Sequence, residues 1–250
     1  MPDPLLLFFA GNGTFPHPIN ADESGICCLS KSLTAADILL GYRFGLFPLN
    51  EPDEPIIWWS PDPRWLLDPL KVKVQKSMRS KLNSDRFQLR ADTQFDAVIN
   101  YCAAGMKRKT EGTWIDQRII QAYTDLFIMG RAHSLEVYSE NELIAGFYGV
   151  QVGRIFVGES MFTHVTDGSK YALIKSCQFF SWLGIRWVDC QMHSHHLERM
   201  GALPFHRKDY LQFLRKEGFQ SQQLTCHWTA LLNDFLNKES DNVQAFSDSI

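Results

Sequence analysis

The sequence predicts an α+β protein, with a small N-terminal part and a larger domain whose antiparallel-rich sheet carries packed helices. Three observations lead there. Residues 142–162 hold two apolar runs rich in β-branched and aromatic residues around Gly153-Arg154, a pair suited to a tight hairpin turn. Thr34 and Asp116 are N-cap residues ahead of apolar positions at helical spacing. Residues 185–192 read as a further strand between two helical patterns.

Taken in order, the apolar run over residues 5–10 is too short to span a membrane and reads as a buried first strand. Residues 11–30, rich in Gly, Pro, Asn and Ser, read as loop. The helix after Thr34 has Asp37 in its first turn, Leu33 and Ile38 as a hydrophobic staple, and Gly45 as its stop. A loop through Leu49 and a proline- and acid-rich stretch lead to IIWWSPDPR at 56–64. If that segment is extended, Trp58 and Trp59 point to opposite sides, one to the core and one free for a ligand. Packing of both tryptophans at a domain junction is the competing reading.

Residues 72–90 read as strand, short helix and strand, and carry Lys76, Arg79 and Lys81 in the most basic stretch of the chain. A helix over 93–104 and the basic loop Lys107-Arg108-Lys109 follow. Such runs are usually solvated surface, but two of them in an acidic protein make a candidate phosphate-binding face. The helix capped by Asp116 has Ile115 and Ile120 as its staple and ends at Gly130. Ser134–Tyr138, turning at Glu140-Asn141, completes a three-strand meander with the central hairpin. Glu159 is a lone carboxylate among apolar neighbours; it requires a hydrogen-bonding or cationic partner unless it faces solvent at a strand end. Glycines 146, 149, 153 and 158 suggest bulges or a close backbone approach.

Thr166-Asp167-Gly168-Ser169 opens a helix to about Leu183. In the strand after it, alternation places Asp189 and Gln191 on one face, two residues apart, as a linked hydrogen-bonding pair. A short helix from Ser194 to Gly201, an amphipathic helix near Lys208–Lys216 and a last strand over Leu224–Trp228 complete the pattern. The expected division is residues 1–64, residues 65–238, and a frayed Ser/Asp/Asn-rich tail over 239–250. A net charge of −3 leaves any nucleic-acid contact to local basic patches. Six scattered cysteines without metal spacing, and no signal peptide, point to reduced thiols in a cytoplasmic protein.

From about Phe15 to Trp228 the chain resembles the leucyl/phenylalanyl-tRNA–protein transferase family. The resemblance rests on GYRFGLFP at 41–48, WWSPDPR at 58–64, EGTWI at 111–115, HSLEV at 133–137, GESMF at 158–162, and Asp189-Cys190-Gln191 followed by His196-Leu197 and Met200-Gly201-Ala202. The hairpin–helix–strand–helix order over 142–201 is compatible with the N-acetyltransferase-like catalytic domain that the resemblance implies. Also implied are transfer of leucine or phenylalanine from aminoacyl-tRNA to proteins beginning with arginine or lysine, a role in N-end rule degradation, and no metal or coenzyme. A monomer without membrane contact is expected.

The resemblance places Trp114, Phe156, Glu159, Ser160, Leu173, Phe180, Val188, Asp189 and Gln191 at the active site. This chain has Leu49 where the family usually has a tryptophan associated with stacking on the tRNA's terminal adenosine, and Ser176 where it often has phenylalanine. Trp114, Trp58 or Trp59 is expected to replace the missing platform. His193, His195 and His196 look metal-like, but the resemblance and the helix-start context favour a non-metal reading.

The chemistry suits these residue types. The tRNA ester is already activated, and an α-amine of pKa about 7.7–8.0 has a sizeable neutral fraction near neutral pH. Positioning then carries much of the acceleration. Asp189, oriented by Gln191, is the expected proton acceptor, with Glu159 reading the cationic acceptor residue; the exchanged assignment stays open. Lys76, Arg79, Lys81, Lys107, Arg108 and Lys109 are the expected tRNA phosphate contacts. Two other readings compete. An acyl-coenzyme A N-acyltransferase calls for a glycine-rich loop at a helix start, where THVTDGS at 163–169 has one glycine. A non-catalytic aminoacyl-tRNA-binding module is opposed by the retained Asp189, Gln191 and Glu159.

Overall fold

The apolar runs around Gly153-Arg154 form the longest strands of a large sheet. The computed structural model describes residues 14–51, 54–84, 86–105, 114–217 and 226–247. Within them the strands are β1 (Ile26–Ser30), β2 (Phe47–Pro48), β3 (Ile56–Trp59), β4 (Arg64–Leu67), β5 (Gln88–Ala91), β6 (Ala132–Ser139), β7 (Glu142–Val152), β8 (Ile155–Thr163), β9 (Trp187–Gln191) and β10 (Leu203–Phe205). The helices are α1 (Ala35–Phe44), α2 (Lys76–Leu82), α3 (Phe95–Ala104), α4 (Gln117–Ile128), α5 (Gly168–Trp182), α6 (His195–Met200), α7 (Arg207–Glu217) and α8 (Thr229–Ser247). This is the expected α+β class.

A three-stranded sheet runs β1-β3-β2, and a seven-stranded sheet runs β10-β4-β9-β8-β7-β6-β5. The large sheet is antiparallel except for β8 and β9, which run parallel. One hydrophobic cluster joins the small sheet, α1, α3, α4 and α7 to one side of β7 and β8. A second buries α5, Trp228 and the start of α8 on the other side. The large sheet is therefore the middle layer, which brings helices from both ends of the chain to its centre.

Local signals explain the elements that matter for the centre. Thr34 and Asp37 form a reciprocal capping box, and Gly45, with φ 80°, closes α1 in the left-handed region. Asp116 caps α4 through the N–H groups of Arg118 and Ile119. Glu140 and Asn141 take positive φ in the β6–β7 turn. At Gly149 a Cβ would lie 2.2 Å from the Val157 carbonyl oxygen, and the β7–β8 register shifts at that residue.

The buried HSLEV segment has structural partners. The Glu136 carboxylate accepts from the N–H of Gln94 at 2.9 Å, from the Ser134 hydroxyl at 2.7 Å, and from Thr93, so it fixes the turn that leads into α3. The His133 ring stacks on Trp228 at 3.8 Å, while Asp92 bonds His133 Nδ1 and the Trp228 N–H. Burial lowers the His133 pKa, against the opposing pull of Asp92.

Several expectations are corrected. Residues 26–30, read as loop, form β1, because Cys28 and Ser30 are small buried partners for Trp58, whose indole donates to Ser30 Oγ at 3.0 Å. Leu46–Leu49, also read as loop, includes β2, paired to β3. The strand expected from residue 72 lies earlier, at β4, and Pro69 begins a 3-10 turn after it. Strand β10 was not anticipated. The described part of the expected last strand, residues 226–228, is not a strand, and α8 follows from Thr229 to Ser247, its start anchored by buried Trp228, Leu232 and Phe235; residues 224 and 225 lie outside the described residues. The run over 5–10 and the Lys107-Arg108-Lys109 loop lie outside the described residues. No helix among the described residues is long and apolar enough to cross a membrane.

Candidate active site

Strands β8 and β9 pair from Ile155↔Trp187 to Val157↔Asp189. Beyond that point a pocket of about 400 Å³ opens, lined by residues 158–161 of β8 and 188–192 at the end of β9. Leu49, Trp114, Phe147, Leu173 and the start of α6 complete its wall. The parting of two parallel strands thus opens the centre of the sheet to a ligand.

Glu159 is the polar focus of this space. Its carboxylate accepts hydrogen bonds from Tyr42 at 2.5 Å, Tyr123 at 2.8 Å and Gln191 Nε2 at 2.9 Å. The two tyrosine hydroxyls also lie 2.6 Å apart. These donors come from α1, α4 and the end of β9, so the cradle draws on widely separated parts of the chain. Burial raises the Glu159 pKa from its ordinary 4.5 to about 7, while the three donors pull it down and the Asp189 charge adds to the rise. Burial and the neighbouring Glu159 hold both tyrosines well above the ordinary phenol range, so they remain neutral donors.

Asp189 is held differently. Arg64 Nε and Nη2 grip its carboxylate at 2.8 and 2.6 Å, the Tyr210 hydroxyl donates at 2.7 Å, and the Gln191 N–H donates at 2.8 Å. Arg64 and Asp189 are 1% and 0% exposed, a fully interior pair. Arg64 also lies between the rings of Phe47 and Tyr210, 4.6 and 4.7 Å from their centroids. Burial alone would lower its pKa; Asp189 beside it raises it above the ordinary arginine value.

Gln191 links the two carboxylates. Its backbone binds Asp189 and its side chain binds Glu159, at a φ of 63° that a non-glycine residue adopts at a cost of about 1–3 kcal/mol. The β4–β9 register shifts beside it, between Trp65 and Leu66. The predicted linkage of Asp189 and Gln191 is present, but through the backbone N–H of Gln191.

Of the residues expected at the site, Leu49, Trp114, Glu159, Ser160, Leu173, Val188, Asp189 and Gln191 line the pocket together. Phe156 and Phe180 are buried behind it, 6.0 and 6.3 Å from the lining ring of Phe147. Sequence reasoning missed Phe147 and Met161 in the wall, and Tyr42, Arg64, Tyr123 and Tyr210 as partners of the carboxylates. Tyr42 and Arg64 lie inside the GYRFGLFP and WWSPDPR motifs, which was their signal; Tyr123 and Tyr210 look like ordinary core positions on their helices. Trp58 is buried, and the half-buried Trp59 donates from its indole to the Leu49 carbonyl at 2.9 Å.

Lys76 and Arg79 are exposed on α2, whereas Lys81 is drawn to Asp167 at 2.5 Å. Asp167 also binds Lys170 and stands immediately before α5. A carboxylate therefore occupies the helix start where a coenzyme A pyrophosphate would need donors.

The family description "Leucyl/phenylalanyl-tRNA protein transferase" matches residues 66–215, and that of its N-terminal domain matches residues 31–62. A leucyl/phenylalanyl-tRNA–protein transferase of Legionella pneumophila (strain Lens) is 40% identical over 208 residues, covering 83% of this chain and 93% of the relative. That of Hahella chejuensis is 41% identical over 217 residues, covering 86% and 92%. Among solved structures, a GCN5-related N-acetyltransferase from Kribbella flavida superposes with a TM-score of 0.36 at 9% identity, covering 66% of this chain and 58% of that one. On the family match and these relatives, the chain belongs to the leucyl/phenylalanyl-tRNA–protein transferases, a family of aminoacyltransferases.

Proposed function

We propose that this protein transfers leucine or phenylalanine from aminoacyl-tRNA to the α-amine of proteins beginning with arginine or lysine, creating an N-end rule degradation signal. The observation that carries this reading is one pocket in which an apolar wall of Phe147, Leu173 and Val188 meets a carboxylate whose pKa is raised to about 7. The apolar wall suits leucine and phenylalanine by size, since one methylene is worth about 1–3 kcal/mol there.

The amine nitrogen attacks the ester carbonyl carbon, the bond from that carbon to the tRNA 3′ oxygen breaks, and the amine's proton passes to Glu159. That proton, or one from solvent, then completes the freed 3′ hydroxyl. Glu159 takes this role because its three partners are neutral, whereas Asp189 is gripped by the buried Arg64 guanidinium. Asp189 is then a positioning residue that fixes Gln191, while the Glu159 charge also favours a cationic acceptor. Backbone N–H groups in the gap between the strands are the proposed oxyanion donors. Exposed Lys76 and Arg79 supply phosphate contacts, with Lys107, Arg108 and Lys109 proposed to extend them. The functional division falls near residue 64, with Tyr42 coming from the N-terminal part and Arg64 opening β4 of the large sheet.

The test is transfer of labelled leucine from charged tRNA to peptides beginning with arginine, lysine or alanine. Transfer to the first two and not the third is expected; equal transfer to all three, or none to any, overturns the acceptor assignment. Binding of charged tRNA is expected to weaken steeply with salt, and Lys76→Glu with Arg79→Glu to flatten that slope.

A further inference from the structure

At the rim of the pocket, the turn after β9 presents side chains that the transfer chemistry does not use. The sequence favours a non-metal reading of these histidines, but the fold adds a carboxylate to two of them, and we propose that His193, His195 and Glu198 form a binding site, separate from the transfer chemistry, for a divalent transition-metal ion of the zinc class. His193 Nε2 lies 3.0 Å from Glu198 Oε2, His195 Nδ1 lies 3.7 Å from the same oxygen, and all three ligand atoms fall within 4.8 Å of one another. A tetrahedral zinc ion with bonds of about 2.0–2.2 Å holds its ligands roughly 3.3 Å apart. Two of the separations bracket that value. The third closes by side-chain rotation, which is easy at these positions because the side chains are 42%, 88% and 52% exposed.

The site is partly built in advance. The His193 ring packs on Trp65 with centroids 4.6 Å apart, and Trp65 lies on β4 opposite Gln191. The His193 and His195 rings stand at 85° with centroids 4.8 Å apart, so the two nitrogens converge on Glu198 without stacking. Two imidazoles and one carboxylate suit zinc, nickel or copper over the harder magnesium and calcium, and exposure leaves the fourth position to water. His196 is not part of the converging group; it lines the pocket instead. The ligands alternate along the chain with Ser194, His196 and Leu197, which line the pocket, so a bound ion ties down one wall of it.

The experiment is calorimetric titration of the full chain with zinc chloride, in a Cys226→Ser background that removes an exposed thiol. One ion per chain is expected, with His195→Ala and Glu198→Gln each weakening binding more than about tenfold. His206→Ala, which removes an exposed imidazole beside Asp62, is expected to leave the titration unchanged. Cobalt loading is expected to give the visible absorption of a tetrahedral ion, lost in the same two variants. Thermal unfolding without metal checks that the variants fold. Unchanged affinity in His195→Ala and Glu198→Gln, or loss of all binding on Cys226→Ser alone, overturns the site. The readout is metal binding, so it stands or falls independently of the transfer reaction.

Discussion

Asp189 on β9 shares its carboxylate among an arginine, a tyrosine and a backbone N–H, whereas Glu159 on the neighbouring β8 is met by two tyrosines and an amide, all uncharged. An interior carboxylate gripped by a buried guanidinium is fixed in place, and removing either partner leaves an uncompensated charge. A carboxylate surrounded by neutral dipoles keeps its geometry while its proton stays exchangeable, with a pKa near the pH at which α-amines ionise. In the proposed mechanism the same residue chemistry gives one side chain a supporting role and the other a proton-handling one, and the partners decide which.

The largest expected effect comes from breaking the locked pair. Arg64→Met leaves Asp189 buried with no cation and is expected to cost about 3–5 kcal/mol of stability, read as the unfolding midpoint in urea. Arg64→Met with Asp189→Leu is expected to recover most of that loss while leaving transfer poor, since Gln191 has lost its anchor. If the double variant transfers normally, the positioning role of Asp189 is wrong.

Glu159→Gln tests the other half. It retains the cradle's shape and is expected to lower single-turnover transfer by about 10²–10⁴-fold, with much less effect on folding than Arg64→Met. In the native enzyme, transfer is expected to rise with pH through about 7 as Glu159 loses its proton. Stability is expected to run the other way. A folded pKa above the unfolded one means that the native state holds more protons between about pH 4.5 and 7, so stability falls as pH rises across that window. The decline attributable to Glu159 is of the order of 1 kcal/mol, because the carboxyl borders an open pocket. Its persistence in Glu159→Gln would assign it to another group.

Much of this arrangement was legible in the sequence. The central hairpin, the caps at Thr34 and Asp116, and the pairing of Asp189 with Gln191 on one strand follow from turn chemistry, capping and alternation. The need for a partner at Glu159 follows from desolvation alone. What could not be read is which partner each carboxylate has. Arg64 and Asp189 are 125 positions apart, and only the adjacency of β4 and β9 brings them together. Tyr123 and Tyr210 have no local feature that separates them from core tyrosines. Helix α8 was not legible because Ser, Asp and Asn obscure its pattern, while the burial of Trp228 and Phe235 that anchors its start is tertiary.

Leu49 and Trp114 are the residues proposed to meet the tRNA terminus. Leu49 and Trp114 line the same pocket, and the Trp59 indole bonds the Leu49 carbonyl, so the Leu49 backbone is fixed whatever its side chain. Stacking a base on an aromatic ring is worth about 1–3 kcal/mol, and leucine offers contact area without a π face. In the proposed reaction the Trp114 ring, in the same pocket wall, serves the adenine as its platform, and a second ring adds little unless it forms a sandwich. Trp114→Ala is therefore expected to weaken a short aminoacyl-adenosine analogue by more than about tenfold, whereas Leu49→Trp is expected to change it by less than about tenfold, under about 1.4 kcal/mol. A hundredfold gain from Leu49→Trp, with Trp114→Ala neutral, would mean that the terminus rests on residue 49 and that this enzyme holds its tRNA end weakly.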